Sequence, residues 1–398
     1  MFTYLKNLIP QSLKNSYHYL IASVALIKFR HPSRELTIIG VTGTDGKTTT
    51  STLIYHLLKS AGFKVALIST VAAYIGKDQI NTGFHVTSPD PWQLQKLIRR
   101  IADQGYQYLV LEATSHGLDQ HRFLGVDFNV GILTNITHEH LDYHHTYDHY
   151  TKAKLKLFRR TSIAVINQED ESFTPVRQQL SGRVEMIAYD HTTLTGSIKS
   201  AIATRFPEKY NQLNATAATL VASYLKIKDP VLIKAMATFP GIPGRMQFIN
   251  NTRHINLVVD FAHTPNALKS ALTALRPQTK GKLIAVFGCA GLRDHSKRPF
   301  MGKIASELAD EIILTAEDPR TEDVYTIFND IMSGVTTNHG HMHQQPDRQQ
   351  AINFAVSLAK AGDTVGIFGK GHEQSMCYGT TETPWSDVKA AHLALKQS

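Results

Sequence analysis

One stretch constrains this chain more than any other: Thr37-Ile38-Ile39-Gly40-Val41-Thr42 runs straight into Gly43-Thr44-Asp45-Gly46-Lys47-Thr48-Thr49. The β-branched apolar run reads as a strand, the glycines as a turn, and Leu53, Ile54, Leu57 and Leu58 beyond them share one helical face. A strand–loop–helix of this kind suits phosphate binding, because glycines let backbone N–H groups curl round an anion and the helix N-terminus adds its positive dipole end. Lys47 is then placed to reach the β- and γ-phosphates, and the Thr48 hydroxyl to sit on Mg²⁺. The strict pattern G-x-x-x-x-G-K-[ST] is not met, since Val41 stands at its first glycine. A glycine-rich turn capped by threonines is the plainer reading of the same residues.

Beyond the loop, strand patterns over 64–70, 108–112, 130–134 and 163–167 alternate with helical patterns over 91–104 and 147–160. A second alternating series follows Phe239-Pro240-Gly241-Ile242-Pro243-Gly244-Arg245, a Pro/Gly cluster that reads as a hinge: strands 256–260, 282–288, 311–315 and 364–368, helices 265–275, 300–308 and 349–360. The expected class is α/β: a central P-loop ATPase domain with a mostly parallel sheet over 36–240, a Rossmann-like α/β domain over 241–398, and an N-terminal helical segment over 1–35. Ligands of such sheets sit at the C-terminal strand ends. Glu112 closes the apolar strand Tyr108-Leu109-Val110-Leu111-Glu112, where an NTPase places the acid that holds Mg²⁺; a solvated strand-end carboxylate is the alternative. The polar run Thr134-Asn135-Ile136-Thr137-His138-Glu139-His140 is not H-E-x-x-H, so a metalloprotease is excluded. Beside a phosphate site it reads as a source of ligands for a second divalent ion, His140 first among them.

The charge of +9 comes from 42 Lys+Arg against 33 Asp+Glu. These basic residues are dispersed, so an anionic substrate or a solvated surface accounts for them without nucleic acid. Cys289 and Cys377 are the only cysteines, far apart, which points to a reducing cytoplasm rather than a disulfide framework or thiolate zinc site. The apolar run Tyr19–Ile27 is too short to span a bilayer and is expected to form a buried helix, with a membrane-surface helix as the alternative given Lys14, Lys28, Arg30 and Arg34 around it.

Taken in order, G-V-T-G-T-D-G-K-T-T-T, T-S-P-D-P (87–91), L-E-A-T-S-H (111–116), T-N-I-T-H-E-H-L-D-Y-H, A-K-L-K-L-F (153–158), G-R-M, D-F-A-H-T-P, K-R-P-F-M-G, E-D-P-R-T-E-D and G-K-G-H-E resemble the Mur ligases, ATP-dependent amide ligases of peptidoglycan synthesis. The resemblance is nearest to the type that adds the third amino acid to a muramoyl-dipeptide. It implies ATP and two Mg²⁺ ions, and an acyl phosphate attacked by the incoming amine. Gly43, Thr44, Asp45, Gly46, Lys47, Thr48 and Thr49 then hold the phosphates, Thr48, Glu112 and His140 the metals, and Lys154 is carbamylated to face them. Lys47, Lys154 and His140 serve the chemistry; Asn214 and Arg245 contact the nucleotide and Asp260 the ribose. Thr87, Ser88, Ser115 and Arg122 surround the muramoyl-peptide acceptor. Arg320, Gly369 and Glu373 form the amino-acid pocket of the 241–398 domain.

Two departures accompany the resemblance. The family's N-terminal uridine-diphosphate domain has no counterpart before Thr37, so the acceptor is expected to be held by another chain, or to be lipid-linked or differently carried. Glu317-Asp318-Pro319-Arg320 replaces the D-N-P-R of enzymes that add meso-diaminopimelate. Arg320 keeps a fork for a distal carboxylate, while Asp318 puts an acid where an amide is usual, leaving meso-diaminopimelate and L-lysine both open. Folylpolyglutamate and cyanophycin synthetases share the loop and the two α/β domains, and a non-catalytic module of the same fold is a third class. G-K-G-H-E and E-D-P-R separate the chain from the first two, and Lys47, Glu112, His140 and Lys154 together from the third.

Overall fold

A computed structural model of the protein describes residues 11–80, 89–137, 139–335 and 341–397. The chain forms two compact units, one of residues 1–137 and 144–239, the other of residues 138–143 and 240–398.

In the first unit, β1 (Thr37–Thr42), β2 (Val65–Ile68), β3 (Ala73–Ile75), β4 (Asp78–Ile80), β5 (Tyr108–Glu112), β6 (Val130–Leu133), β7 (Ile163–Asn167) and β8 (Glu185–Tyr189) make one sheet in the order β4-β3-β2-β5-β1-β6-β7-β8. All pairs are parallel except those of the short β3–β4 edge. β1, β2, β5, β6 and β7 are almost wholly buried, as their unbroken apolar runs require when both sheet faces are covered. From β1 the chain runs out through β2, β3 and β4 on one side, returns to β5 beside β1, and then crosses to β6, β7 and β8 on the other side. The C-terminal ends of β1 and β6 therefore flank a topological switch point, where such sheets bind ligands. The register sets Val41 opposite Glu112 and Thr42 opposite Leu133, so the phosphate loop, Glu112 and the loop after β6 leave the sheet at one edge.

Around this sheet lie α1 (Gln11–Lys28), α2 (Lys47–Ser60), α3 (Pro91–Asp103), α4 (Ser115–Asp119), α5 (Tyr147–Leu155) and α6 (Lys209–Tyr224). Asp90 caps α3 by accepting from the Trp92 and Gln93 amides, ahead of Pro91 at the first helical position. The apolar run 19–27, expected to be buried, is instead one part of a two-faced helix. Ala22, Ala25 and Leu26 of α1 are buried while Leu20, Val24 and Ile27 are exposed, because a helix lying on a domain surface covers only its inner face.

The second unit holds β9 (Gln247–Ile249), β10 (Asn256–Asp260), β11 (Leu283–Phe287), β12 (Glu311–Leu314), β13 (His341–Gln344) and β14 (Thr364–Phe368) in the order β13-β12-β11-β14-β10-β9, only β9 being antiparallel. β15 (Ser375–Tyr378) and β16 (Thr381–Pro384) form a separate hairpin. Helices α7 (Pro265–Leu275), α8 (Arg298–Leu308), α9 (Arg348–Leu358) and α10 (Asp387–Gln397) complete the layers used below. Arg348 of α9 is fully buried and paired to Asp387 at 2.8 and 2.7 Å, and it also donates to the Ala316 and Phe368 carbonyls. It thereby ties the residues just beyond β12 to the end of β14, with every charge-bearing atom compensated as burial demands.

Candidate active site

The phosphate loop of the first unit is held from across the sheet. Asn135, after β6, accepts from the Thr44 amide through its backbone oxygen at 2.9 Å and from the Asp45 amide through Oδ1 at 2.8 Å, while Thr134 Oγ1 donates to the Asp45 carbonyl at 2.6 Å. Gly46 precedes α2 at φ 82°, and a Cβ there would stand 2.3 Å from Asn214 Oδ1. Only glycine fits both the left-handed backbone and the close approach of α6. Asn214, expected at the nucleotide, thus lies against the loop and the start of α2, where it also accepts from Thr50 Oγ1.

Two ammonium groups meet on one oxygen. Lys47 Nζ donates to Gly43 O at 3.1 Å and Thr44 O at 2.7 Å, and buried Lys154, on α5, donates to the same Gly43 O at 2.5 Å while lying 4.3 Å from the Tyr150 ring centroid. The Tyr150 hydroxyl meets Thr44 Oγ1 at 3.0 Å. Two cations gathered at a helix N-terminus favour a polyanion. Thr48 Oγ1 lies 3.1 and 3.2 Å from the Glu112 carboxylate oxygens, and Glu112 also accepts from the Thr70 amide and hydroxyl at 3.0 and 2.7 Å. A hydroxyl and a carboxylate are hard oxygen ligands of the kind Mg²⁺ takes, so the donor set fits that ion. The structure therefore brings Gly43, Thr44, Asp45, Gly46, Lys47, Thr48, Thr49, Glu112, Lys154 and Asn214 into one connected corner. Ser115 is buried at the start of α4, and the Arg122 guanidinium is bound to Gln120 Oε1 at 2.7 and 3.1 Å. Thr87 and Ser88 lie outside the described residues.

His140 is counted with the second unit, at a left-handed φ of 59°, its Nδ1 3.8 Å from Glu139. In that unit the Asp260 carboxylate closes β10, accepting from the Met246 amide at 2.7 Å and the Ala262 amide at 2.9 Å. Burial pushes its carboxyl up, against the pull of Arg245 and the backbone amides. The Arg245 guanidinium stacks 4.2 Å from the Phe261 ring centroid.

The end of β14 gathers the remaining residues. Lys370, fully buried, donates to Asp318 Oδ1 at 2.7 Å and pairs with Glu373. Asp318 Oδ1 also accepts from the Cys377 amide at 3.0 Å. The Asp318 carboxylate is thus engaged by a cation and an amide, which tempers its expected role as an acid presented to the incoming amino acid. Arg320 Nη1 donates to Gly291 O at 2.7 Å, and Asp318 and Arg320 both hold positive φ, at 47° and 56°. Such strain in non-glycine residues is typical of ligand-gripping loops. Lys370 was not singled out by sequence, although it stands between Gly369 and Glu373, which were.

Glu317 is the other residue that sequence reasoning missed. It is buried, its Oε2 accepts no hydrogen bond among the described residues, and a Cβ on Gly369, at φ 109°, would come within 2.1 Å of that oxygen. Burial pushes its carboxyl up to about 8, against the pull of Lys297, Arg348 and Lys370. An unfolded glutamate titrates near 4.5, so between these values the folded chain keeps a proton that the unfolded chain has released, and stability falls as pH rises through this window. Glu317→Gln should remove that loss, raising stability over the parent by roughly 3 kcal/mol at neutral pH and by nothing below the unfolded value. Denaturant unfolding across the pH range checks this. A difference that does not change with pH would show that Glu317 is not held protonated.

One further cluster, His295, Glu322 and Asp330, brings three ligand atoms within 4.8 Å of one another. Its carboxylates already neutralise the buried Arg298 guanidinium, at 2.7 and 2.8 Å.

Comparison with known proteins decides the family. Residues 41–215 match the Mur ligase middle domain and residues 244–371 the Mur ligase glutamate ligase domain. The UDP-N-acetylmuramoyl-L-alanyl-D-glutamate--2,6-diaminopimelate ligase of Clostridium tetani (strain Massachusetts / E88) is 36% identical over 381 residues, covering 91% of this chain and 78% of that protein. The chain belongs to the Mur ligase family. A solved structure of a UDP-N-acetylmuramoyl-L-alanyl-D-glutamate--2,6-diaminopimelate ligase superposes with a TM-score of 0.58 at 33% identity, covering 91% of this chain and 78% of that one. The folylpolyglutamate synthase of Mycobacterium tuberculosis complexed with ADP superposes at 0.71 with 17% identity, over 91% and 92% of the two chains, a likeness of fold alone. Mur ligases are ATP-dependent, ADP-forming ligases, and the family implies ATP and Mg²⁺ for this member. Among the described residues no helix is long and apolar enough to cross a membrane.

Proposed function

We propose that this Mur ligase joins an amino acid to a muramoyl-peptide-like acceptor in the cytoplasm, as a step of peptidoglycan precursor synthesis. The terminal acceptor carboxylate takes the γ-phosphoryl of ATP and ADP leaves. The amine of the incoming amino acid then attacks the acyl carbon, phosphate leaves, and the amine gives up a proton. The observation that carries this reading is the convergence of Lys47 and Lys154 on the Gly43 carbonyl beside the Thr48–Glu112 oxygen pair. Lys47 would bind and orient the phosphates, with the amides of residues 43–49 around them. Thr48 and Glu112 would hold one Mg²⁺ and His140, with a carbamylated Lys154, a second; bound there, the ions supply neutralisation of charge on the transferring oxygens. Asn214, Arg245 and Asp260 would serve the nucleotide, and Thr87, Ser88, Ser115 and Arg122 the acceptor.

For the amino acid, Arg320, Gly369 and Glu373 offer a cationic fork, close backbone approach and an oxygen acceptor. Similarity to ligases named for 2,6-diaminopimelate supports that substrate over L-lysine, as does the engagement of Asp318 by Lys370. The test is amino-acid-dependent phosphate release with UDP-N-acetylmuramoyl-L-alanyl-D-glutamate as acceptor. Arg320→Ala should raise KM for diaminopimelate by the loss of a charge-assisted bond, about 1.5–3 kcal/mol or roughly tenfold and more, and leave the lysine value nearly unchanged. A parent enzyme that prefers lysine, unaltered by Arg320→Ala, would eliminate diaminopimelate. Turnover with a folate acceptor and none with the muramoyl-dipeptide would eliminate the acceptor class.

A further inference from the structure

Helix α1 presents apolar side chains on two opposite faces, and among the described residues only one of them is buried against the fold. On the inner face Ala22, Ala25 and Leu26 are buried, the Phe29 ring just beyond the helix stands edge-on to Trp92 at 5.3 Å, and Asn15 donates to Asp119 at 3.1 Å. On the outer face Leu13, Tyr17, Leu20, Val24 and Ile27 are 61, 63, 62, 51 and 72% exposed. Their spacing alternates four and three residues, which places all five on one line down the 18-residue helix, about 27 Å long. Single exposed apolar residues are ordinary on a protein surface, but an unbroken line of five large ones marks an interaction surface.

Charge decides what covers it. Residues 1–34 contain Lys6, Lys14, Lys28, Arg30 and Arg34 and no aspartate or glutamate. A second copy of the helix laid along this seam would set lysine against lysine with no acid to pair, whichever way the two helices ran. An anionic lipid surface supplies the missing negative charge over the whole length of the helix. Tyr17, exposed on that line, is of the amphipathic type that settles at headgroup level, and Lys14 and Lys28 have stems long enough to lay apolar carbon on the bilayer while their ammonium groups reach phosphate. Residues Phe2, Tyr4, Leu5, Leu8 and Ile9, with Lys6, continue the same apolar-basic composition toward the N-terminus. A helix with this outer face and no capacity to span lies in the interface plane.

We propose that α1 seats the protein on anionic membrane surfaces through the line Leu13, Tyr17, Leu20, Val24 and Ile27. The test is co-sedimentation of the full chain with vesicles of phosphatidylglycerol mixed with phosphatidylcholine, against vesicles of phosphatidylcholine alone. The expected result is partition to the mixed vesicles that falls about tenfold or more with the neutral lipid and with molar salt. The double variant Leu20→Gln, Ile27→Gln should lose about tenfold or more of the binding with its thermal melting unchanged, since both side chains are already in water in the free protein. Absence of binding to the anionic vesicles, or equal binding by parent and double variant, would overturn the proposal. So would a dimer in light scattering that the double variant dissociates, because it assigns the face to a second copy.

Discussion

Lys47→Ala is expected to cut amino-acid-dependent phosphate release by on the order of 10²–10³-fold, with the protein still folded. The lysine ammonium lies at the N-terminus of α2, bound to the Gly43 and Thr44 carbonyls, so it is fixed in the loop before any nucleotide arrives. A preorganised cation of this kind stabilises charge as it develops on transferring phosphoryl oxygens, and removing one such group costs about 3–4 kcal/mol of barrier. The structural loss is smaller. Gly43 O still accepts from Lys154, and Asn135 still holds the Thr44 and Asp45 amides, so about 1 kcal/mol of stability is at stake. Turnover and thermal melting measured on the same preparation separate the two effects. Activity within a few-fold of the parent would remove Lys47 from the phosphate site.

What could be read from sequence follows from how far apart the interacting residues are. The unit β1–loop–α2 is local: its strand, its turn and its helix face are each specified within a dozen residues, and the structure has them where the pattern does. The same holds for β5 ending in Glu112 and for α7 between Pro265 and Leu275. The clamp of Asn135 on Thr44 and Asp45 spans about ninety residues, and the pair Lys370–Asp318 spans 52, so neither has a signature in the segment that carries it. Glu317 was hidden for another reason. Its character comes from Gly369 closing over it and from the absence, among the described residues, of a hydrogen bond at Oε2, which are properties of packing and not of any spacing. The run 19–27 misled because mean hydropathy reports how apolar a helix is and not how many of its faces have partners. The β3–β4 edge hairpin, with Asp78 and Gln79 exposed, lacks the apolar alternation by which strands are recognised.

Lys154→Ala should cause a comparable loss of turnover, and the manner of rescue identifies the chemistry. The residue is a buried lysine on α5 whose ammonium donates to Gly43 O and lies over the Tyr150 ring. In this form it is a second cation at the phosphate loop, a place already served by Lys47. Addition of carbon dioxide to the neutral amine makes an N–C bond and releases a proton, turning that cation into an anion with two oxygens while one N–H remains to donate. An anion there would be unfavourable beside phosphates alone and favourable once divalent cations neutralised it, so a carbamate on Lys154 would suit a metal-bound corner and the ammonium a metal-free one. Three measurements follow. Parent enzyme depleted of carbon dioxide should lose activity and regain it with bicarbonate; Lys154→Ala should stay inactive in bicarbonate; and a short carboxylic acid should restore part of the variant's rate by placing a carboxylate where the side chain ended. A Lys154→Ala enzyme insensitive to added carboxylic acid, alongside a parent insensitive to carbon dioxide, would leave Lys154 as an ammonium that positions Gly43. Normal turnover in the variant would remove it from the site altogether.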